Sequence, residues 1–159
     1  MKKLQGIKIK EDSAFIDKRG IYWTSWKNKR FSLNFNHDKF SLSKKNVLRG
    51  LHGDKKSWKL ISCVYGKIFF VIINNNPKHK EYLKYMDVIL SPNNRKQVLI
   101  PPKFLTGHMI ISNEAVLHYK FCYKGAYPDV KNQISMKWND PKLNISWPNS
   151  KPILSKRDK

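Results

Sequence analysis

Acidic residues are scarce. Eleven Asp and Glu stand against 32 Lys and Arg, a formal charge of +21 over 159 residues. Arginine is scarce as well: Arg19, Arg30, Arg49, Arg95 and Arg157 are the only five. Surfaces that read bases or fork phosphates favour arginine, and the lysines are spread along the whole chain instead of gathered in one arm. The charge therefore reads as a solvated lysine-rich surface, and no specific nucleic-acid partner is expected. Long apolar runs are missing too. The longest, Ile68 to Ile73, has six residues, where a membrane helix needs about 20, so no membrane insertion is expected. No apolar stretch follows the lysines of Met1-Lys2-Lys3-Leu4-Gln5-Gly6, so no secretory signal is expected either. The two cysteines, Cys63 and Cys122, lie in apolar strand-like segments and read as reduced core residues of a cytoplasmic protein.

Two further absences exclude common chemistries. The seven glycines are isolated, at 6, 20, 50, 53, 66, 107 and 125, so no glycine-rich phosphate cradle is present. The five histidines, His37, His52, His79, His108 and His118, include no His-x-His pair. The ligand spacing that a metal-holding β-barrel uses is lacking, and no metal is expected.

Hydrophobic residues make up 40% of the chain and aromatic residues 13%, which excludes a disordered polymer. The length suits one domain, residues 1–159. Strand signals dominate. Lys59 to Tyr65 and Ile68 to Ile73 flank Gly66-Lys67, which predicts a hairpin with a type II′ turn. Asp87 to Ser91 and Gln97 to Pro101 flank Pro92-Asn93-Asn94 and read as a second antiparallel pair. Met109 to Ser112 turns at Asn113-Glu114 into Val116 to Tyr123. There alternation puts Leu117, Tyr119, Phe121 and Tyr123 on one face and His118, Lys120 and Cys122 on the other. Residues 135–150, with Trp138, Pro141, Trp147 and Pro148, read as extended loop or a short helix at most. The pattern predicts an all-β sandwich or closed barrel.

A set of short strings follows in order: Asp17-Lys18-Arg19-Gly20, Val47-Leu48-Arg49-Gly50-Leu51-His52, Lys59-Leu60, Pro102 to His108, Tyr119-Lys120, Trp138-Asn139-Asp140-Pro141, Ile145-Ser146-Trp147-Pro148 and Leu154-Ser155-Lys156-Arg157-Asp158. Together, from about residue 15 to Asp158, they resemble the dTDP-4-dehydrorhamnose 3,5-epimerase family of nucleotide-sugar epimerases. The resemblance implies an all-β cupin-type jelly roll (a double-stranded β-helix) with few or no helices. It also implies catalysis without metal or organic cofactor, and a homodimer with exchanged N-terminal strands. The implied substrate is a 4-keto nucleotide-diphospho-sugar, inverted at a carbon beside the ketone, in deoxysugar supply for surface polysaccharide.

Such a reaction removes a weakly acidic hydrogen next to a carbonyl. It needs a base with a near-neutral pKa, a cation at the enolate oxygen and an acid on the opposite ring face. The resemblance assigns these roles by position. His52 matches the base, and histidine titrates in the right range. Asp158 matches the carboxylate that orients it. Lys59 matches the cation at the oxyanion, and Tyr119 the acid on the far face. Arg19 and Arg49 match arginines lining the substrate site, Arg19 at the diphosphate and across the dimer.

The chain departs from the family pattern in three places. Phe104-Leu105-Thr106-Gly107-His108 stands where the family reads Phe-Ala-His-Gly-Phe. Thr106 thus replaces a site histidine, and His108 falls two positions on, at the same strand parity. Gly53-Asp54 follow His52 where the family has Tyr-Gln, with a shorter connection to Lys59. The family's glutamine ahead of the serine-rich strand falls near His37, so His37 and His108 are read as substrate-binding. These changes leave open the nucleotide (dTDP or GDP), the sugar (a 6-deoxyhexose or a heptose) and whether C3, C5 or both invert. The competing expectations are a 3,4-ketoisomerase or C3-only epimerase of the same fold, a non-catalytic nucleotide-sugar binding protein, and a nucleic-acid-binding β-barrel.

Overall fold

The computed structural model describes residues 3–27 and 30–159. Its regular structure is strand, apart from one 3₁₀ turn at Val130–Asn132. In chain order the strands are β1 (Lys8–Glu11), β2 (Ala14–Asp17), β3 (Gly20–Trp23), β4 (His37–Lys44), β5 (Leu48–Gly53), β6 (Trp58–Tyr65), β7 (Ile68–Asn74), β8 (Tyr85–Leu90), β9 (Lys96–Ile100), β10 (Phe104–Ile110), β11 (Glu114–Cys122) and β12 (Ile134–Ser135). Two antiparallel five-stranded sheets form, in the orders β1-β9-β6-β11-β4 and β12-β5-β10-β7-β8, while β2 and β3 make a separate hairpin. From β4 onward the chain passes repeatedly from one sheet to the other, which makes the sandwich a jelly roll. No helix among the described residues is long and apolar enough to cross a membrane.

The core lies between the sheets. Ile61, Cys63, Val98, Ile100 and Leu117 from the first sheet meet Ile68, Phe70, Ile72, Val88 and Leu90 from the second. β7 is buried on both faces: Val71 and Ile73 point away from the main core, into a second cluster with Leu51, Leu105 and Leu143. Burial on both sides is why this strand reads as an unbroken apolar run instead of an alternation. The segment after β12 covers that outer face without forming a helix. Met136 exchanges backbone hydrogen bonds with Leu51, and the Trp147 indole sits edge-on to Phe69 at 5.7 Å while donating to the Trp138 carbonyl at 2.9 Å. Ile153 then bridges in parallel to Val47, which returns the C-terminus to β5.

The pairing of neighbouring strands differs from the sequence expectation. β6 and β7 do not form a hairpin: β6 pairs with β9 and β11, and β7 with β8 and β10. The strands around Pro92-Asn93-Asn94 separate likewise, β8 to β7 and β9 to β1 and β6. β10 and β11 also lie in opposite sheets. A short turn and an apolar face suit either partner, a neighbour in the same sheet or a strand in the facing one, and burial between two sheets favours the second. Gly66 serves that crossing, not a hairpin. Its φ is +76°, and a Cβ there would overlap the Glu114 carbonyl. The faces of β11 do fall as read from alternation. Leu117 and Phe121 are buried, whereas His118 and Lys120 point outward to share Asp38.

Gly50 is a tight point of the second sheet that also needs a positive φ. Its φ is +125°, and a Cβ would stand 2.5 Å from Gly107 Cα and 2.7 Å from the Thr106 carbonyl oxygen. Both atoms are backbone, so neither can move aside cheaply. Gly50→Ala is expected to lower stability by about 3 kcal/mol, measured as a fall in the urea midpoint at unchanged slope.

Candidate active site

One end of the sandwich opens into a cleft of about 170 Å³. The second sheet supplies Arg49 and His52 from β5, and Thr106 and His108 from β10. The first sheet supplies Lys59 from β6, and Tyr119 and Phe121 from β11. Arg49 and His52 are three apart, and in a regular strand they would face opposite ways. The register explains their common direction. Thr106 pairs with His52 and His108 with Arg49, so β5 carries one residue more than β10 over this stretch. A β-bulge of this kind re-aims side chains, and the Gly50–Gly107 approach makes room for it.

His52 Nε2 lies 2.7 Å from Asp158 Oδ1. Asp158 is buried, and its Oδ2 accepts from the Ser155 hydroxyl at 2.8 Å. The carboxylate holds the ring by Nε2, and Nδ1 is hydrogen-bonded to no described residue. Burial holds the His52 pKa below its ordinary value and the Asp158 charge pulls it back up, while the neighbouring Arg157 and Lys59 charges oppose that pull. Arg157 is itself tied to Gln133 and Ser135, which anchors the terminal segment beside the site.

Lys59 is buried, with its ammonium 3.8 Å from Asp54 Oδ2. Burial lowers its pKa and Asp54 partly offsets this. Tyr119 is pushed up to about 12, first by burial, so it stays a phenol at neutral pH. Its ring stacks on Phe121 at 6.0 Å. His108, 3% exposed, is held neutral down to about pH 3 by burial and by the nearby Arg49 and His52. Arg49 reaches the cleft with its Nε donating to Ser43 Oγ at 3.0 Å.

The fold thus brings His52, Lys59, Tyr119, Arg49 and His108 around one cavity, with Asp158 behind His52. Two sequence candidates stand apart. His37 does not line the cleft; its Nδ1 meets the Tyr123 hydroxyl at 3.0 Å, and its ring packs on two residues that do line it, Tyr127 at 4.8 Å and Phe121 at 5.5 Å. Arg19 is on the β2–β3 hairpin, 81% exposed and paired with Asp17 at 2.7 Å. Trp147 packs on Phe69 as a core side chain.

Sequence reasoning missed Lys39, Asp54, Tyr127 and Gln133, all of which line the cleft. Lys39 was legible in part: it shares strand parity with Ser41 and Ser43, and its ammonium sits 3.9 Å over the Tyr127 ring. Asp54 carries the signature of a turn, accepting from the backbone of Lys56 and Ser57 at 2.9 and 2.6 Å, and so closes the short β5–β6 connection. Tyr127 and Gln133 come from irregular chain and left no periodic signal. No group of three or more His, Cys, Asp or Glu among the described residues is placed to hold a metal ion.

A jelly roll with a carboxylate-backed histidine, a buried lysine and a half-buried tyrosine around one cleft has the architecture of a nucleotide-sugar epimerase. The family model described as dTDP-4-dehydrorhamnose 3,5-epimerase matches residues 1–159. The enzyme of that name from Escherichia coli K12 is 32% identical over 165 residues, covering 98% of this chain and 88% of that protein. The one from Methanothermobacter thermautotrophicus is 32% identical over 152 residues, covering 91% and 80%. Among solved structures, dTDP-6-deoxy-D-glucose-3,5-epimerase from Legionella pneumophila, in complex with dTDP-4-keto-L-rhamnose, superimposes with a TM-score of 0.90. It is 31% identical, and the match covers 99% of this chain and 87% of that one. A 4-keto-6-deoxy sugar epimerase from the novobiocin gene cluster of Streptomyces spheroides gives 0.89 at 27% identity, covering 97% and 80%. The chain belongs to the dTDP-4-dehydrorhamnose 3,5-epimerase family.

Proposed function

We propose that the protein inverts C3, C5 or both in a 4-keto nucleotide-diphospho-sugar by moving protons through an enolate. The observation that carries this is the position of His52 and Tyr119 on facing sheets, across one cavity. Facing sheets stand about 10 Å apart, room for a sugar ring between a base and an acid. His52 Nδ1 takes the hydrogen beside the ketone, and Asp158 stabilises the imidazolium at Nε2. The Lys59 ammonium balances the charge that develops on the C4 oxygen. Tyr119 returns a proton to the opposite face, and Arg49 lines the substrate site. The dTDP-4-keto-L-rhamnose bound to the Legionella enzyme supports this substrate class. The two free cysteines suit a cytoplasmic site of action. The test is incubation with dTDP-4-keto-6-deoxyglucose in deuterated water. Deuterium at C3, at C5 or at both is expected, and a folded protein that incorporates none overturns the reading.

The pH dependence follows from His52. As a base it must be neutral, and burial holds its pKa below 6.5. Activity therefore persists as pH falls through 6.5 and is lost only on passing the lowered pKa. Asp158→Asn removes the charge that raises that pKa. The acid limb is expected to move to still lower pH while kcat drops, read from pH profiles of exchange.

We infer that two copies exchange their N-terminal hairpins. Phe15, Ile16 and Tyr22 are 62%, 65% and 74% exposed on β2–β3, an apolar surface without cover in one chain. Arg19, far from its own cleft, reaches a cleft only in a second copy. Co-expressed Arg19→Ala and His52→Ala chains then form mixed dimers with one intact site of two. Activity is expected to return to about a quarter of wild type. Activity no higher than the sum of the two variants alone overturns the exchange.

A further inference from the structure

His108 is a buried polar group of the cleft that the proton-transfer scheme does not use. Its ring lines the cleft, yet neither of its nitrogens hydrogen-bonds a described residue, and Nε2 is wholly buried without a partner. On β10 it stands between Gly107 and Met109, opposite Phe70 of β7 and Arg49 of β5. The family pattern has phenylalanine here, which would need no partner. Buried imidazoles in packed cores are ordinarily paired, and an unpaired one destabilises the fold. The bulge that turns β5 also sets His108 opposite Arg49, in the cleft that His52 and Tyr119 line from facing sheets, with its ring 6.4 Å from the Tyr119 ring.

We propose that the His108 imidazole hydrogen-bonds a hydroxyl of the bound sugar, so that the site selects a 4-keto sugar carrying a hydroxyl, not an apolar substituent, on the edge that meets β10. The inference rests on the epimerase reading above and deepens it. The neutral ring has one N–H to donate and one lone pair to accept with, and a hydroxyl can use either. A neutral group with so low a pKa neither takes nor gives a proton near neutral pH, so His108 is a specificity determinant and not a second base. Sites that hydrogen-bond a substrate hydroxyl reject the analogue lacking it far more strongly than apolar pockets reject an extra methylene.

The test compares wild type with His108→Phe on three probes: dTDP-4-keto-6-deoxyglucose, dTDP-4-ketoglucose (which adds a C6 hydroxyl) and dTDP-4-keto-2,6-dideoxyglucose (which lacks the C2 hydroxyl). The readout is kcat/KM for deuterium wash-in. Wild type is expected to favour the hydroxylated member of one pair by at least about tenfold. His108→Phe should shrink that one ratio to within about twofold, leave the other ratio in place and keep the pH profile of wild type. His108→Met, which fills the space flexibly, gives the same comparison should the phenylalanine variant fold poorly. Equal loss on all three probes, unchanged ratios, or disappearance of a pH limb each overturns the assignment. No wash-in by wild type on any probe overturns the epimerase reading itself, a result distinct from intact wash-in with unmoved discrimination.

Discussion

His52→Ala is expected to cut deuterium wash-in beside the ketone by on the order of 10³-fold. The reasoning is local. Asp158 holds the ring through Nε2 at 2.7 Å, so the carboxylate, fixed in turn by Ser155, sets which nitrogen is left for the substrate. Alanine removes the acceptor, and neither flanking residue can replace it: Lys59 is cationic and paired with Asp54, and Thr106 offers only a hydroxyl. The stability of the variant should change little, because the imidazole faces the cleft and is not part of either apolar cluster. An unchanged melting temperature with lost exchange is the expected pair of results. Exchange within tenfold of wild type would assign the base elsewhere.

Tyr119→Phe should separate two halves of the reaction. Phenylalanine keeps the ring against Phe121 and the contact with the core between the sheets, but loses the proton donor on the far face. Proton removal by His52 needs no phenol, so exchange should persist within about tenfold while net inversion falls by roughly 10²-fold. Measuring deuterium content and product configuration on the same samples distinguishes them. Equal loss of both would mean that the phenol acts before the enolate forms, and would remove it as the returning acid. The high pKa of Tyr119 suits that role, because the phenol remains protonated through the working range until a carbanion calls on it.

Some of this site was legible along the chain. Alternation in β11 placed Tyr119 with Leu117 and Phe121, and strand parity placed His108 with Thr106; both hold, since each side chain reaches the cleft. The ordered strings located His52, Lys59 and Asp158, although 106 positions separate His52 from Asp158. Parity would have set Arg49 and His52 on opposite faces. They share one because the strand bulges, a backbone event that depends on the Gly50–Gly107 approach between two strands far apart in sequence. Lys39, Tyr127 and Gln133 went unnoticed for a related reason. Tyr127 and Gln133 come from irregular chain, where no period marks a side chain's direction, and the parity of Lys39 on an edge strand does not by itself show that it reaches the cleft.

Composition and pattern alone determined that this chain builds strands around an apolar core, and the ordered strings determined its family. Both are properties of residues near one another or of a list read in order. Which strand lies beside which was decided only by tertiary structure. A turn such as Gly66-Lys67 permits either a hairpin or a crossing, and the choice falls to whichever arrangement buries β7 on both faces. The site was decided at the same level: a base on one sheet and an acid on the other can work on a single sugar only after the sheets have closed over a common cleft.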